Sequence, residues 1–190
     1  MRVAIFGGTF DPIHKAHLTV AREAAAAFSL DEVLFIPAAN PPHKGGAQGA
    51  SYEDRFRMVE LACEGMAGFT ASRLEEGRER SYSITTIERL LRERPGDRFY
   101  FLIGADAFAE IETWKRWRDV LAAVEFIVVS RPGHRYRVPE TARVLRLESL
   151  ALPVSSSEIR ECLARGEMPE ALPAPVAEYI RRRGLYGVRQ

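Results

Sequence analysis

A chain of 190 residues with 46% hydrophobic and 28% charged side chains has the size and composition of one globular domain with a substantial core. Its formal net charge of +1 argues against a general nucleic-acid binder, which carries a marked basic excess. No stretch approaches the ~20 apolar residues of a membrane span, and the first apolar run is too short for a signal peptide, so a cytoplasmic protein is expected.

The opening stretch, residues 2–18, reads RVAIFGGTFDPIHKAHL. Arg2 to Phe6 is rich in Val, Ile and Phe and ends at Gly7-Gly8, which reads as a buried strand entering a turn. Asp11 with Pro12 is a candidate N-cap and first helical position, with a start a few residues later also open. An alanine-rich helix then runs from Lys15 to Phe28. Glycines let backbone N–H groups approach a ligand, and a helix N-terminus favours negative charge. His14 and His17, three apart, project from one face of the first turn. Imidazoles at a helix N-terminus resist protonation, because the dipole opposes their charge; a bound polyphosphate reverses that preference. Gly7, Gly8, Thr9, Phe10, His14 and His17 together describe a phosphate site. Neither Gly-Lys-Ser/Thr nor G-x-G-x-x-G is present, so it is not a Walker A loop or a dinucleotide fingerprint. Two histidines without a Cys, Asp or Glu at ligand spacing make a poor metal site, and Asp11 alone does not complete one, so no metal ligands are assigned.

Further strand-like runs follow at Glu32–Pro37, Phe69–Leu74, Arg98–Ile103, Glu125–Ser130 and Arg143–Leu147. Helical candidates lie between them at Ser51–Glu64, Ser83–Glu93 and, broken, from Ala105 to Ala123. This alternation predicts an α/β fold, a doubly wound and mostly parallel sheet with right-handed crossovers, spanning 1–190 as one domain. Ligands in such folds bind at the carboxyl ends of the strands, which places the glycine turn and the ends of the fourth and fifth runs on one rim. Cys63 and Cys162 fall in helical segments without a CxxC pattern, and reduced thiols are expected.

Residues 37–51, PAANPPHKGGAQGAS, have the composition of a long functional loop, with Lys44 near its tip as a point charge for a phosphate. In RSYSITTI, Ser81 or Ser83 could cap the following helix, and Ser83 could equally contact a ligand. Gly104 would let the backbone turn where the fourth strand ends. Asp106 is placed to accept from ribose hydroxyls or to cap the next helix. Trp114 and Trp117 are three apart, so one can face a cleft, where an indole makes a platform for an electron-poor pyridinium. Arg131, after the fifth strand, could pair with a phosphate or stay solvated. In VSSSEIR, Ser155 and Glu158 form a capping-box pattern, while Ser155, Ser156, Ser157 and Arg160 also supply hydroxyls, N–H groups and a charge to an anion. Near residue 180, Pro173 and Pro175 precede a short amphipathic helix that Gly184 should stop.

GGTFDPIHKAH resembles the signature of the nucleotidyltransferase superfamily, in which a His-x-Gly-His element binds ATP, and its wording resembles the bacterial nicotinate mononucleotide adenylyltransferases. The glycine between the family's histidines is Ala16 here. PPHK, SYS in place of SYT, TWKRW and SSSEIR in place of Ser-Ser-Thr-x-x-Arg resemble the family's other motifs. The resemblance implies a Rossmann-like nucleotidyltransferase fold and adenylyl transfer from ATP to nicotinate mononucleotide. It further implies His14, His17 and Arg160 as catalytic; Gly7 to Phe10, Gly104, Asp106 and Ser155 to Ser157 around ATP; and Lys44, Ser83, Trp114 and Arg131 around the mononucleotide. Mg2+ would be carried with ATP, in a monomer or small homo-oligomer. Rival readings are an acceptor such as phosphopantetheine or nicotinamide mononucleotide, and a non-catalytic ATP sensor, which Ala16 favours.

Overall fold

A computed structural model describes residues 1–40, 49–77, 80–150 and 154–189. Its six strands are β1 (Arg2–Gly8), β2 (Glu32–Pro37), β3 (Phe69–Ala71), β4 (Arg98–Gly104), β5 (Glu125–Ser130) and β6 (Val144–Glu148). They form one sheet in the order β3-β2-β1-β4-β5-β6, every neighbouring pair parallel. The helices are α1 (Lys15–Phe28), α2 (Tyr52–Cys63), α3 (Ser83–Glu93), α4 (Ala105–Ala109), α5 (Trp117–Ala123), α6 (Ser156–Ala164) and α7 (Ala174–Arg183).

The apolar runs of the central strands follow from burial on both faces, as helix-covered parallel sheets require. Side chains alternate along each strand. Ala4, Phe35, Tyr100, Leu102 and Ile127 face α1, α2, α6 and α7. Val3, Ile5, Phe99, Phe101 and Val128 face α3, α4 and α5. Strand order reverses between β1 and β4, which are paired from Arg2–Arg98 to Ile5–Phe101, so a crevice opens beyond their carboxyl ends. The turn after β1 lies at its mouth.

The expected elements are present, with their bounds adjusted; β1 and β4 run on to Gly8 and Gly104, and α2 is Tyr52–Cys63. β3 stops at Ala71 rather than Leu74: the Ser72 N–H still donates to the Phe35 carbonyl of β2 at 2.9 Å, and the chain then enters a turn at 74–77. The stretch from Ala105 to Ala123 divides into α4, a 3-10 turn at Ile111–Thr113 and α5. Arg116, at φ +53, breaks the helical path before α5. β6 begins at Val144, one residue later than expected. Cys63 is buried, and both cysteines are free thiols.

Candidate active site

The turn after β1 departs from the simplest expectation. Asp11 is not the N-cap and Pro12 is not helical. Phe10 adopts a left-handed backbone at φ +49, the Asp11–Pro12 bond is cis, and His14 is extended (φ −144, ψ 170) as the N-cap of α1. The Asp11 carboxylate serves elsewhere: its Oδ1 accepts the Ala50 N–H at 3.0 Å and the Tyr186 hydroxyl at 2.6 Å. Phe10 folds its ring inward, packing on Phe6 and on His17 with centroids 5.6 and 5.1 Å apart. A Cβ at Gly8 would lie 3.0 Å from that ring, tight enough that the ring would have to shift by a few tenths of an ångström. At Gly7 a Cβ would meet only Phe101, at an ordinary 3.8 Å.

The histidines are brought together. Their rings stack at 3.8 Å between centroids, tilted by 30°. His17 Nδ1 accepts the His14 backbone N–H at 3.2 Å, so a neutral His17 carries its proton on Nε2. The His14 side chain is buried, and its Nδ1 has no hydrogen-bond partner among the described residues. Burial pushes the His14 imidazole down to about 4, and burial followed by the neighbouring His14 holds His17 well below the ordinary histidine range. Neutral rings were expected from the helix dipole; loss of water is the leading cause in the folded protein. Ala16, between them, is half-buried in the first turn of α1.

Two elements far away in sequence brace this turn. Arg55 of α2 is buried; its Nη1 donates to the Thr9 carbonyl at 2.7 Å and its Nη2 to the Ala38 carbonyl at 2.8 Å. It ties the exits of β1 and β2, and among the described residues no carboxylate lies within ion-pair distance of it. Burial lowers its pKa from the usual guanidinium value. Arg55, Tyr186 and the Asp11 carboxylate were not anticipated, since nothing local in the sequence marks a bond spanning 46 or 175 positions.

The serine motif arrives from the other side. Ser155 caps α6 as expected: its hydroxyl accepts the Glu158 N–H at 3.2 Å, and Glu158 accepts the Ser155 N–H at 2.9 Å. The Ser156 hydroxyl donates to the Pro12 carbonyl at 3.0 Å. Arg160 Nη1 donates to the Asp11 carbonyl at 2.7 Å, and Nη2 to Ser157 Oγ at 3.2 Å. The N-terminal and C-terminal motifs therefore meet at one point.

Beside the turn lies a cavity of about 340 Å³ lined by Gly7, Gly8, Thr9, Ser83, Gly104 and Trp114. Trp114 stands edge-on to Phe101 at 5.6 Å, leaving its indole at the cavity wall. Ser83 is the first residue of α3 and not its cap; Tyr82 holds the cap position without a side-chain bond. The Ser81 hydroxyl does not cap either, but accepts the Ala39 N–H at 3.0 Å. The first turn of α3 thus keeps its N–H groups without a side-chain acceptor at the cap. Glu75, buried in the same wall, accepts the Thr86 hydroxyl at 2.8 Å.

Other expected residues fall differently. Gly104 has an ordinary backbone (φ −72, ψ 149), so the turn does not demand glycine; a Cβ there would meet no protein atom within 4 Å. Asp106 caps nothing: Gly104 is the N-cap of α4, and Asp106 stands fully exposed in the first turn, 3.9 Å from His134. Arg131 is exposed in the turn after β5, outside the cavity lining. Trp117 packs beside the far core under the Arg118 guanidinium, 4.2 Å from its ring centre. Lys44 lies outside the described residues. Among the described residues no group of three or more His, Cys, Asp and Glu is gathered to hold a metal ion, and no helix is long and apolar enough to cross a membrane.

The family model for cytidylyltransferase-like proteins matches residues 5–162. A Solibacter usitatus protein called "Probable nicotinate-nucleotide adenylyltransferase" is 62% identical, covering 98% of this chain and all of that one. An Exiguobacterium sibiricum protein of the same name is 41% identical, covering 98% and 99%. Among solved structures, the nicotinic acid mononucleotide adenylyltransferase of Plasmodium falciparum, complexed with NaAD, superposes with a TM-score of 0.82 over 99% of this chain and 98% of that one. At 19% identity that likeness speaks for the fold alone. Full-length relatives at this identity, on a matching fold with both motifs joined at the crevice, establish that the chain belongs to the nicotinate-nucleotide adenylyltransferase family of cytidylyltransferase-like proteins.

Proposed function

We propose that the protein transfers the adenylyl group of ATP to nicotinate mononucleotide, giving nicotinate adenine dinucleotide and pyrophosphate, a step of NAD synthesis. A phosphate oxygen of the mononucleotide attacks the α-phosphorus in line as the bond to the β-phosphate oxygen breaks. Such a transfer needs positioning and charge stabilisation more than covalent help. The observation that carries this reading is the stacked, neutral pair His14 and His17, held at the end of the β1 turn whose Gly7, Gly8 and Thr9 line the cavity with Trp114.

In this reading His17 donates from Nε2 to the α-phosphate as charge accumulates, with His14 in support. Gly7 to Phe10 and the start of α6 (Ser155 to Ser157, with Arg160) receive the triphosphate, and Arg160 exchanges its hold on the Asp11 carbonyl for the leaving phosphates. Gly104 and Asp106 face the nucleoside. Mg2+ enters as the counter-ion of ATP, part of the substrate; the scattered carboxylates of the described residues make no cage for a resident ion.

The acceptor is read from the cavity. Trp114 stacks the pyridine ring, and Ser83 with the uncapped first turn of α3 offers donors to a carboxylate, which favours the acid over the amide. Lys44 and Arg131 complete the mononucleotide phosphate site. The whole chain acts as one nucleotidyltransferase domain, supported by the one sheet of the described residues and by the packing of α7 against α2. Ala16 in the motif favours a non-catalytic ATP sensor as the second reading.

One assay decides between them: pyrophosphate release with ATP and, in turn, nicotinate mononucleotide, nicotinamide mononucleotide and phosphopantetheine. The expected order is rapid release with the first and weak or no release with the others. ATP binding with no release for any acceptor would overturn the enzymatic reading.

A further inference from the structure

Asp11 has an environment that phosphate binding does not explain. Asp11 is only 3% exposed, and among the described residues its carboxylate has two donors, both from distant parts of the chain. Tyr186 donates its hydroxyl to Oδ1 at 2.6 Å, and the Ala50 N–H donates to the same oxygen at 3.0 Å. The other oxygen is walled in, since a Cβ on Gly49 would come within 2.7 Å of Oδ2. Tyr186 itself is held at φ +57, a backbone conformation bulky residues rarely adopt, inside the 3-10 turn Leu185–Gly187. A buried carboxylate needs its donors, and here one of them is supplied by a residue 175 positions away.

We propose that the turn at Leu185–Gly187 is a positioning element of the nucleotide site, in which Tyr186 acts through Asp11 to hold the 9–14 loop that presents both histidines. This rests on the adenylyl-transfer reading. Asp11 stands three residues before His14. Its own carbonyl is gripped by Arg160, and the next carbonyl, of Pro12, by Ser156. Thr9 is pinned by Arg55, so the loop is held from α2 and α6 as well, and Tyr186 supplies the bond that reaches the Asp11 side chain from beyond α7.

The same region provides its own control. Tyr179 of α7 donates to Asp54 Oδ1 at 2.8 Å, a second tyrosine–aspartate bond, but one directed at the start of α2. Asp54 keeps Ser51 and Arg183 as partners when Tyr179 is removed. Both Tyr186→Phe and Tyr179→Phe delete one hydroxyl and keep the ring.

In the full chain, Tyr186→Phe should lower kcat/KM for ATP about tenfold, the scale of a small misplacement of reacting groups, with the nicotinate mononucleotide KM unchanged. Tyr179→Phe should shift Tm comparably and leave turnover at the wild-type level. The Hε1 resonances of His14 and His17 should move in Tyr186→Phe alone. Wild-type turnover in a folded Tyr186→Phe protein would overturn the proposal, as would losses in both variants that merely follow Tm. Should the wild-type protein release no pyrophosphate with any acceptor, the enzymatic reading fails separately. The tyrosine proposal is then judged by ATP titration calorimetry, which must show weakened binding in Tyr186→Phe and not in Tyr179→Phe.

Discussion

Burial of a neutral His14 should make the fold acid-sensitive, alongside the His17 ring that stacks on it. Its imidazole is lowered from the ordinary 6.5 to about 4, with loss of water as the cause. In this window the unfolded chain binds a proton that the folded chain refuses. Stability therefore rises with pH from about 4 to 6.5, and is lost as pH falls through the same range. Between pH 7 and pH 5 the linkage relation gives a loss of about 2 kcal/mol from His14 alone. His14→Asn removes the titrating group and puts a strong N-cap residue at the start of α1, so it should be no less stable than wild type at pH 7. Urea unfolding of both proteins at pH 7 and pH 5 measures the difference, with carboxylate effects common to the pair. Wild type should lose roughly 2 kcal/mol more than the variant on acidification. Equal losses would refute a buried neutral His14, and with it the idea that the site meets ATP uncharged.

His17→Ala should abolish most turnover, a loss far beyond the stability it gives up with its ring contacts and the bond from the His14 N–H; a folded variant with normal turnover removes His17 from the chemistry. Trp114→Ala should raise the nicotinate mononucleotide KM roughly tenfold, consistent with lost ring stacking, and leave the ATP KM alone. If only the ATP KM moves, the indole serves the other substrate. Gly104→Ala should change stability by less than about 1 kcal/mol, because its backbone is ordinary and no protein atom is near, yet weaken ATP binding by occupying space kept for the nucleotide. Unchanged steady-state kinetics would show that the space is incidental.

What could be foreseen from the sequence was whatever is written locally. The apolar runs of β1, β2, β4 and β5 announce a sheet buried on both faces, and Ser155 with Glu158 announces the cap that α6 in fact has. Asp11-Pro12 misleads for a physical reason. It has the letters of a helix start, but Phe10 turns through a left-handed conformation and His14, already extended, takes the cap. Ser83 misleads similarly, since a serine near a helix start is usually the cap, whereas here Tyr82 occupies that place. Arg55 and Tyr186 left no local trace at all. Each is one polar residue on an otherwise unremarkable segment, and its partner is set by the topology. Gly104 shows the converse: it lines the cavity, but the chain turn expected of it needs no glycine.

The distance between the two halves of the histidine turn also has a consequence in time. Arg160 grips the Asp11 carbonyl from 149 positions further along the chain. At ribosomal speeds of about 5–20 residues per second, the two are made on the order of ten seconds apart. Throughout that interval the nascent chain carries GGTFDPIHKAH with neither the arginine nor the later tyrosine that fixes it. The turn is thus synthesised well before the residues that complete it, and a chain that stops short of them carries both histidines on an unbraced loop.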